Sequence, residues 1–193
     1  INRYTNPDTK NLDLITIRYI PRGENKKAFL QAHQTNKGIV PKRPAGLLPL
    51  FNRLRLKDAD TVIFAEGEGC VRRLTELGFT ATTGAGGSNN AAGQDYSPLS
   101  GKTVILWADN DHPGQKYMEQ VREKLLELEN PATVLSIDIT GLELPEGGDV
   151  KDICEKVLSE GGTEEDCKDY VRSLVDDASE VNALQCLEDH LQD

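Results

Sequence analysis

No stretch of this sequence is long and apolar enough to cross a membrane, because nothing approaches the roughly 20 residues that such a helix needs. The amino end shows no signal-peptide pattern either, so the chain is expected to be cytoplasmic and to have no membrane partner. Cysteine is sparse and unpatterned. Cys70, Cys154, Cys167 and Cys186 form no C-x-x-C pair, and His33, His112 and His190 are scattered. That spacing argues against a zinc site built from this chain alone and for free thiols in a reducing compartment. The glycine-rich run Gly84-Ala85-Gly86-Gly87 matches neither a dinucleotide fingerprint nor a Walker A loop, which needs Gly-Lys-Ser/Thr. Internal repeats and long low-complexity tracts are absent. The first residue is Ile1 rather than Met, so the sequence reads as a piece of something longer.

What is present suffices for one main domain with appended parts: 193 residues, 37% hydrophobic and 28% charged. The net charge of −10 argues against a nucleic-acid partner until its distribution is inspected. Residues 1–57 hold twelve Lys or Arg against Asp8, Asp13 and Glu24, a local balance of +9, and the rest of the chain carries −19. A basic segment beside an acidic pocket suits an enzyme that handles a polyanion, one side gripping phosphates while the other binds metal. A solvated basic loop is the plainer alternative.

The pattern along the chain divides it into three. Over 1–58, residues 12–20 and 27–34 read as strands of a hairpin, and the basic connector Lys37–Pro49, which contains Lys42 and Arg43, leads to one short helix over Leu47–Leu56. From Thr61 the rhythm becomes strand, loop, helix. Strands are expected at 61–65, 79–83, 103–108 and 132–137. One helix carries Val71, Leu74 and Leu77, and a second begins near Pro113 and buries Tyr117, Val121, Leu125 and Leu128. Such alternation implies α/β architecture with a parallel sheet flanked by helices over 59–158. The segment 159–193 is an acidic tail. Its helix start is Thr163 followed by Glu164, Glu165 and Asp166, and its stripe is Tyr170, Leu174, Ala178, Val181, Leu184 and Leu187.

Chemistry concentrates where the apolar runs stop. The first ends on Glu66-Gly67-Glu68-Gly69, the second on Asp109-Asn110-Asp111, and a third cluster is Gly148-Asp149-Val150-Lys151-Asp152. Carboxylates at the carboxyl ends of neighbouring parallel strands converge on one crevice. So much negative charge calls for a divalent counter-ion, and an Asp-x-Asp turn can bracket a hard cation such as Mg²⁺ or Mn²⁺. Phosphoryl transfer on nucleic acid or nucleotide is the chemistry such a site serves. Taken alone, Asp-x-Asp also fits a receiver-like, dehalogenase-like or sugar-nucleotide site, or a solvated turn. Lys102, Lys116 and Lys151 lie near these motifs in sequence and could meet triphosphate or strand backbone, although surface lysines are usually bland. Trp107 is expected in the core.

In order and spacing, this combination resembles the Toprim domain, and most closely the primase type found in phage and plasmid primase or primase-helicase proteins. The resemblance runs over about residues 10–158. It is carried by Glu66-Gly67-Glu68, by Thr82-Thr83 with Gly86-Gly87, by Asp109-Asn110-Asp111 with Gly114-Gln115-Lys116, and by Gly148-Asp149-Val150-Lys151-Asp152. It implies a Toprim-like Rossmannoid sheet behind a basic β-rich leader. Glu66 is then general acid/base or metal ligand, Asp109 and Asp111 hold Mg²⁺ (or Mn²⁺), and Asp149 and Asp152 complete the acidic rim. The implied partners are a single-stranded DNA template, nucleoside triphosphates and a fused or separate helicase. Many relatives continue the first motif with Lys and then Asp, whereas this chain has Gly69 and Cys70, losing one base and one acid. The rival readings are a Toprim nuclease with water as nucleophile and a non-catalytic module that binds nucleic acid or a partner. Nothing resembles the domain that supplies a topoisomerase tyrosine.

Overall fold

Two four-stranded sheets organise the chain in a computed structural model that describes residues 1–23 and 28–180. The first is an antiparallel meander of β1 (Asn2–Thr5), β2 (Leu12–Tyr19), β3 (Ala28–Thr35) and β4 (Gly38–Val40). The expected hairpin is β2–β3, with Ile15 opposite Ala32 and Arg18 opposite Phe29. β1 and β4 are additions to the reading from sequence. Tyr4 of β1 is fully buried against Leu14, Leu48 and Ala85 and meets the Phe51 ring edge-on at 5.3 Å. These contacts seat the meander on the second sheet's domain.

The second sheet is parallel, in the order β6-β5-β7-β8, with β5 at Thr61–Ala65, β6 at Ala81–Thr82, β7 at Thr103–Trp107 and β8 at Thr133–Ser136. Its two central strands are apolar on both faces because both faces are covered. Val62, Phe64, Val104 and Leu106 pack beneath α3 (His112–Leu126), which contributes Tyr117, Val121 and Leu125. Ile63, Ala65, Ile105 and Trp107 face the other way. They pack with Val71 and Leu74 of α2 (Gly67–Glu76), Ile153 of α4 (Val150–Ser159), and Cys167 and Val171 of α5 (Glu164–Asp176). The chain leaves β5 through α2 toward β6 and leaves β7 through α3 toward β8. Strand order therefore reverses between β5 and β7, and the crevice lies at their carboxyl ends.

Four expectations change. Only Arg53–Leu56, α1, is helical within Leu47–Leu56. The residues before it spend their backbone groups elsewhere: Leu48 bridges Gln94, and the Phe51 amide donates to the Thr83 carbonyl. The strand expected over 79–83 shrinks to Ala81–Thr82, because Gly78 turns at φ +94° and the Phe79 amide bonds back to Leu74 of α2. The last strand is Thr133–Ser136, and Ser136 bridges Ser179 in antiparallel fashion, so the segment after α5 returns to the sheet edge. In α5, capped by a Thr163–Asp166 box, the buried residues are Cys167 and Val171, while Tyr170 is largely exposed. The expected stripe positions Val181, Leu184 and Leu187 lie outside the described residues.

Candidate metal centre at the carboxyl ends of the parallel strands

Each acidic motif sits where a strand or loop hands over to a helix. Glu66 closes β5 and stands at the N-cap position of α2 with extended backbone, and Gly67 then turns at φ +81°, a region that favours glycine. The Gly67 amide donates to Thr83 Oγ1 at 3.1 Å, tying this turn to the end of β6. Glu68 points away from the crevice. It accepts from Tyr4 Oη at 2.6 Å and Thr16 Oγ1 at 3.2 Å, so it serves the junction with the meander.

Beyond β7, Asp111 caps α3 by accepting from the Gly114 amide at 2.6 Å. Gly114 is required by this turn, since a Cβ there would lie 2.8 Å from the Asp109 carbonyl oxygen. Asn110 is the latch. Its side-chain amide donates to the carbonyls of Leu144 (2.9 Å) and Pro145 (3.1 Å), while its backbone exchanges bonds with Gly147 and Gly148. The latch draws the loop before α4 to the end of β7 and delivers Asp149 beside Asp109.

Asp149 is buried and begins α4 with a capping box: its carboxylate accepts from the Lys151 amide at 2.6 Å, and Asp152 accepts from the Asp149 amide at 2.8 Å. Lys151 Nζ pairs with Asp149 Oδ2 at 2.8 Å, which raises the lysine's pKa. Cys70, in the first turns of α2, completes the group. Its sulfur and carboxylate oxygens of Asp109 and Asp149 all lie within 4.8 Å of one another. Burial is the main cause that pushes the Cys70 thiol up, followed by the Asp149 and Asp109 charges, with Lys151 opposing them.

Asp109 is the electrostatic centre. Burial first, then the charges of Glu66, Asp149 and Asp111, push its pKa up to about 8, offset by Lys151. Glu66 also lies near Tyr117, whose pKa burial and then the Glu66 charge raise. Asp109 and Asp149 thus meet within 4.8 Å, and the charges of Glu66 and Asp111 bear on Asp109 from the adjoining turns.

Not every residue singled out from sequence lies there. Asp152 spends its carboxylate on the α4 cap. Lys102 precedes β7, at the sheet end opposite Asp109, and its ammonium donates to the Ala59 carbonyl at 2.6 Å. It is therefore not brought to the acids: Lys102 and Asp109 flank the same strand, so its length separates them. Lys116 is exposed on α3 just past Gly114, and Lys42 and Arg43 are exposed in the connector after β4. Lys151 alone of these cations touches the cluster. Sequence reasoning missed the Asn110 latch and gave Cys70 no role there. The signals were that Cys70 stands where many relatives of the resembled family carry Asp and that it follows Glu66 by four residues, one helical turn.

The donor set fits a divalent cation. Carboxylate oxygens of Asp109 and Asp149 meet beside the Cys70 sulfur, burial and then the neighbouring carboxylates lift Asp109 to a pKa of about 8, and a bound cation relieves both. The thiol is the one soft donor among hard ones.

A parallel sheet in this order, led by an antiparallel meander and with acids at its strand ends, is a primase-type domain fold. The primase fragment of the bacteriophage T7 primase-helicase protein superposes with a TM-score of 0.53 at 16% identity, covering 84% of this chain and 59% of that one. The present chain therefore spans less than two thirds of that structure. A second match is the structure of the bacteriophage T7 lagging-strand DNA polymerase interacting with primase domains of two gp4 subunits bound to an RNA/DNA hybrid and dTTP. It gives a TM-score of 0.51 at 15% identity over 90% of this chain and 81% of that one. No family model and no curated protein matches the sequence. Among the described residues, no helix is long and apolar enough to cross a membrane.

Proposed function

We propose that this chain is the Toprim catalytic part of a DNA primase from a mobile element, joining nucleoside triphosphates into a primer on a single-stranded DNA template with Mg²⁺ or Mn²⁺. The observation that carries the reading is the approach of Asp149 to Asp109, with ligand atoms within 4.8 Å at the carboxyl end of the parallel sheet, and the charges of Glu66 and Asp111 also bear on Asp109. The fold shared with the T7 primase fragment supports it.

Asp109 and Asp149, with Asp111 and Glu66 beside them, are the residues to hold the ion. When bound, a divalent cation neutralises charge that develops on the transferred phosphoryl group. The protein's own part is positioning and proton handling. The Asn110 latch fixes Asp149 against Asp109, and Gly114 lets α3 close on the Asp109–Asp111 turn. Glu66, at the carboxyl end of β5, is the residue to accept the proton of an attacking hydroxyl. Lys151 and the exposed Lys116, with Lys42 and Arg43 of the basic leader, supply positive charge for triphosphate and template. A fused or separate helicase is the partner such a primase serves.

The test is primer synthesis from labelled triphosphates on single-stranded DNA, run for the full-length parent and for this chain. Primers that require Mg²⁺ and vanish in Asp109→Ala support the reading. Strand cleavage without synthesis would instead make the protein a phosphodiesterase, and silence in both assays would leave a binding module.

A further inference from the structure

We propose that Cys70 is a direct ligand of the cation held by Asp109 and Asp149, and that its sulfur tunes this centre toward thiophilic divalent ions of the Zn²⁺ class over Mg²⁺. The inference rests on the metal-centre reading above and deepens it.

Three separate elements bring the donors together: the first turns of α2 give sulfur, the turn after β7 gives Asp109, and the start of α4 gives Asp149. Their mutual spacing of at most 4.8 Å suits ligands converging on one ion, since the sulfur and oxygen bonds to zinc are about 2.3 and 2.0–2.2 Å. Two carboxylates and a thiolate also form a three-ligand set that leaves a coordination position open, as in reactive zinc sites. Magnesium takes oxygen ligands in near-octahedral geometry, so a thiolate contributes nothing to its binding. Zinc, cobalt and cadmium gain from the same atom.

Cys70 is 4% exposed, so solvent does not compete for its sulfur. Lys151 Nζ, 2.8 Å from Asp149 Oδ2, offsets part of the cluster's negative charge. The Lys151 side chain is about half exposed, at 48%, and can swing outward as an ion enters. Binding breaks the Cys70 S–H bond, forms a sulfur–metal bond and passes the proton to solvent.

The experiment titrates the full chain with Cd²⁺, following the ultraviolet thiolate-to-metal charge-transfer band, and with Mg²⁺ by calorimetry. The parent should show the band at one ion per chain. Cys70→Ser should lose the band and at least about tenfold in Cd²⁺ affinity, with Mg²⁺ affinity unchanged. Cys70→Asp should abolish the band and tighten Mg²⁺, and this second variant decides the matter if the serine chain misfolds. A band that persists in Cys70→Ser places the ion on other cysteines and overturns the proposal. Mg²⁺ binding that depends on Asp109 but comes with no band in the parent overturns the role of Cys70 while leaving the metal centre intact. If neither ion binds, the metal centre falls and the Cys70 ligand falls with it.

Discussion

Asn110 donates its side-chain amide to the carbonyl of Leu144 at 2.9 Å, and this bond joins the end of β7 to the loop that presents Asp149. Asn110→Ala deletes that contact and the one to Pro145 while keeping the backbone bonds to Gly147 and Gly148. The variant should lose about 1 kcal/mol of stability, because the Leu144 carbonyl loses its partner while that of Pro145 keeps the Gly148 amide. It should also lose about tenfold in divalent-ion affinity through misplacement of Asp149. Denaturant unfolding and calorimetric titration read these separately. Wild-type affinity in the variant would mean that the backbone bonds suffice.

Asp109 makes stability depend on pH. Its folded pKa is held up at about 8, against about 3.9 in an unfolded chain. Between those values the folded state binds the extra proton, so metal-free stability should fall as pH rises through this window and level off above it. Asp109→Asn removes the charge and should be more stable than the parent at the upper end of the window, the two converging near pH 4. Solvent screening of a half-buried group trims the difference to about 1–2 kcal/mol. Urea unfolding in a chelator across that range checks both sign and window.

Lys151 opposes a bound cation while attracting an anion. Lys151→Met should therefore raise Mn²⁺ affinity by about fivefold, equivalent to about 1 kcal/mol, and weaken triphosphate binding. Opposite signs in two titrations of one variant are hard to obtain from misfolding.

Tyr4 carries the seam between the meander and the domain of the parallel sheet. Its hydroxyl donates to Glu68 at 2.6 Å from a fully buried ring. Tyr4→Phe keeps the ring beside Phe51 and should cost about 2 kcal/mol, the range for a hydrogen bond to a charged group. Metal affinity should hold, because Glu68 is not among the charges that act on Asp109. Hydrogen exchange should show loss of protection concentrated in β1 and β2.

The acids at the strand ends were legible because burial on both faces writes β5 and β7 as continuous apolar runs, so their ends are visible in one dimension. α3 and α5 were legible from Pro113 and from the Thr163–Asp166 cap. β1 was not, since Asn2–Thr5 has a single buried residue and owes its pairing to β2. The segment before α1 has helical residues but exchanges its backbone bonds with Thr83, Gly93 and Asp95, partners distant in sequence. Cys70 was marked in the sequence only as the loss of an acid from the first motif, and the fold places its sulfur beside Asp109 and Asp149. Asn110 lay inside a recognised motif, yet its bonds run to a loop more than thirty residues away.

The most direct test of the account is Mn²⁺ titration of the full chain, followed by loss of the free-ion paramagnetic resonance signal, for the parent and for Asp109→Ala with Asp111→Ala, each shown folded by circular dichroism. The account predicts saturable binding in the parent and none in the double variant. Superimposable titration curves would contradict it.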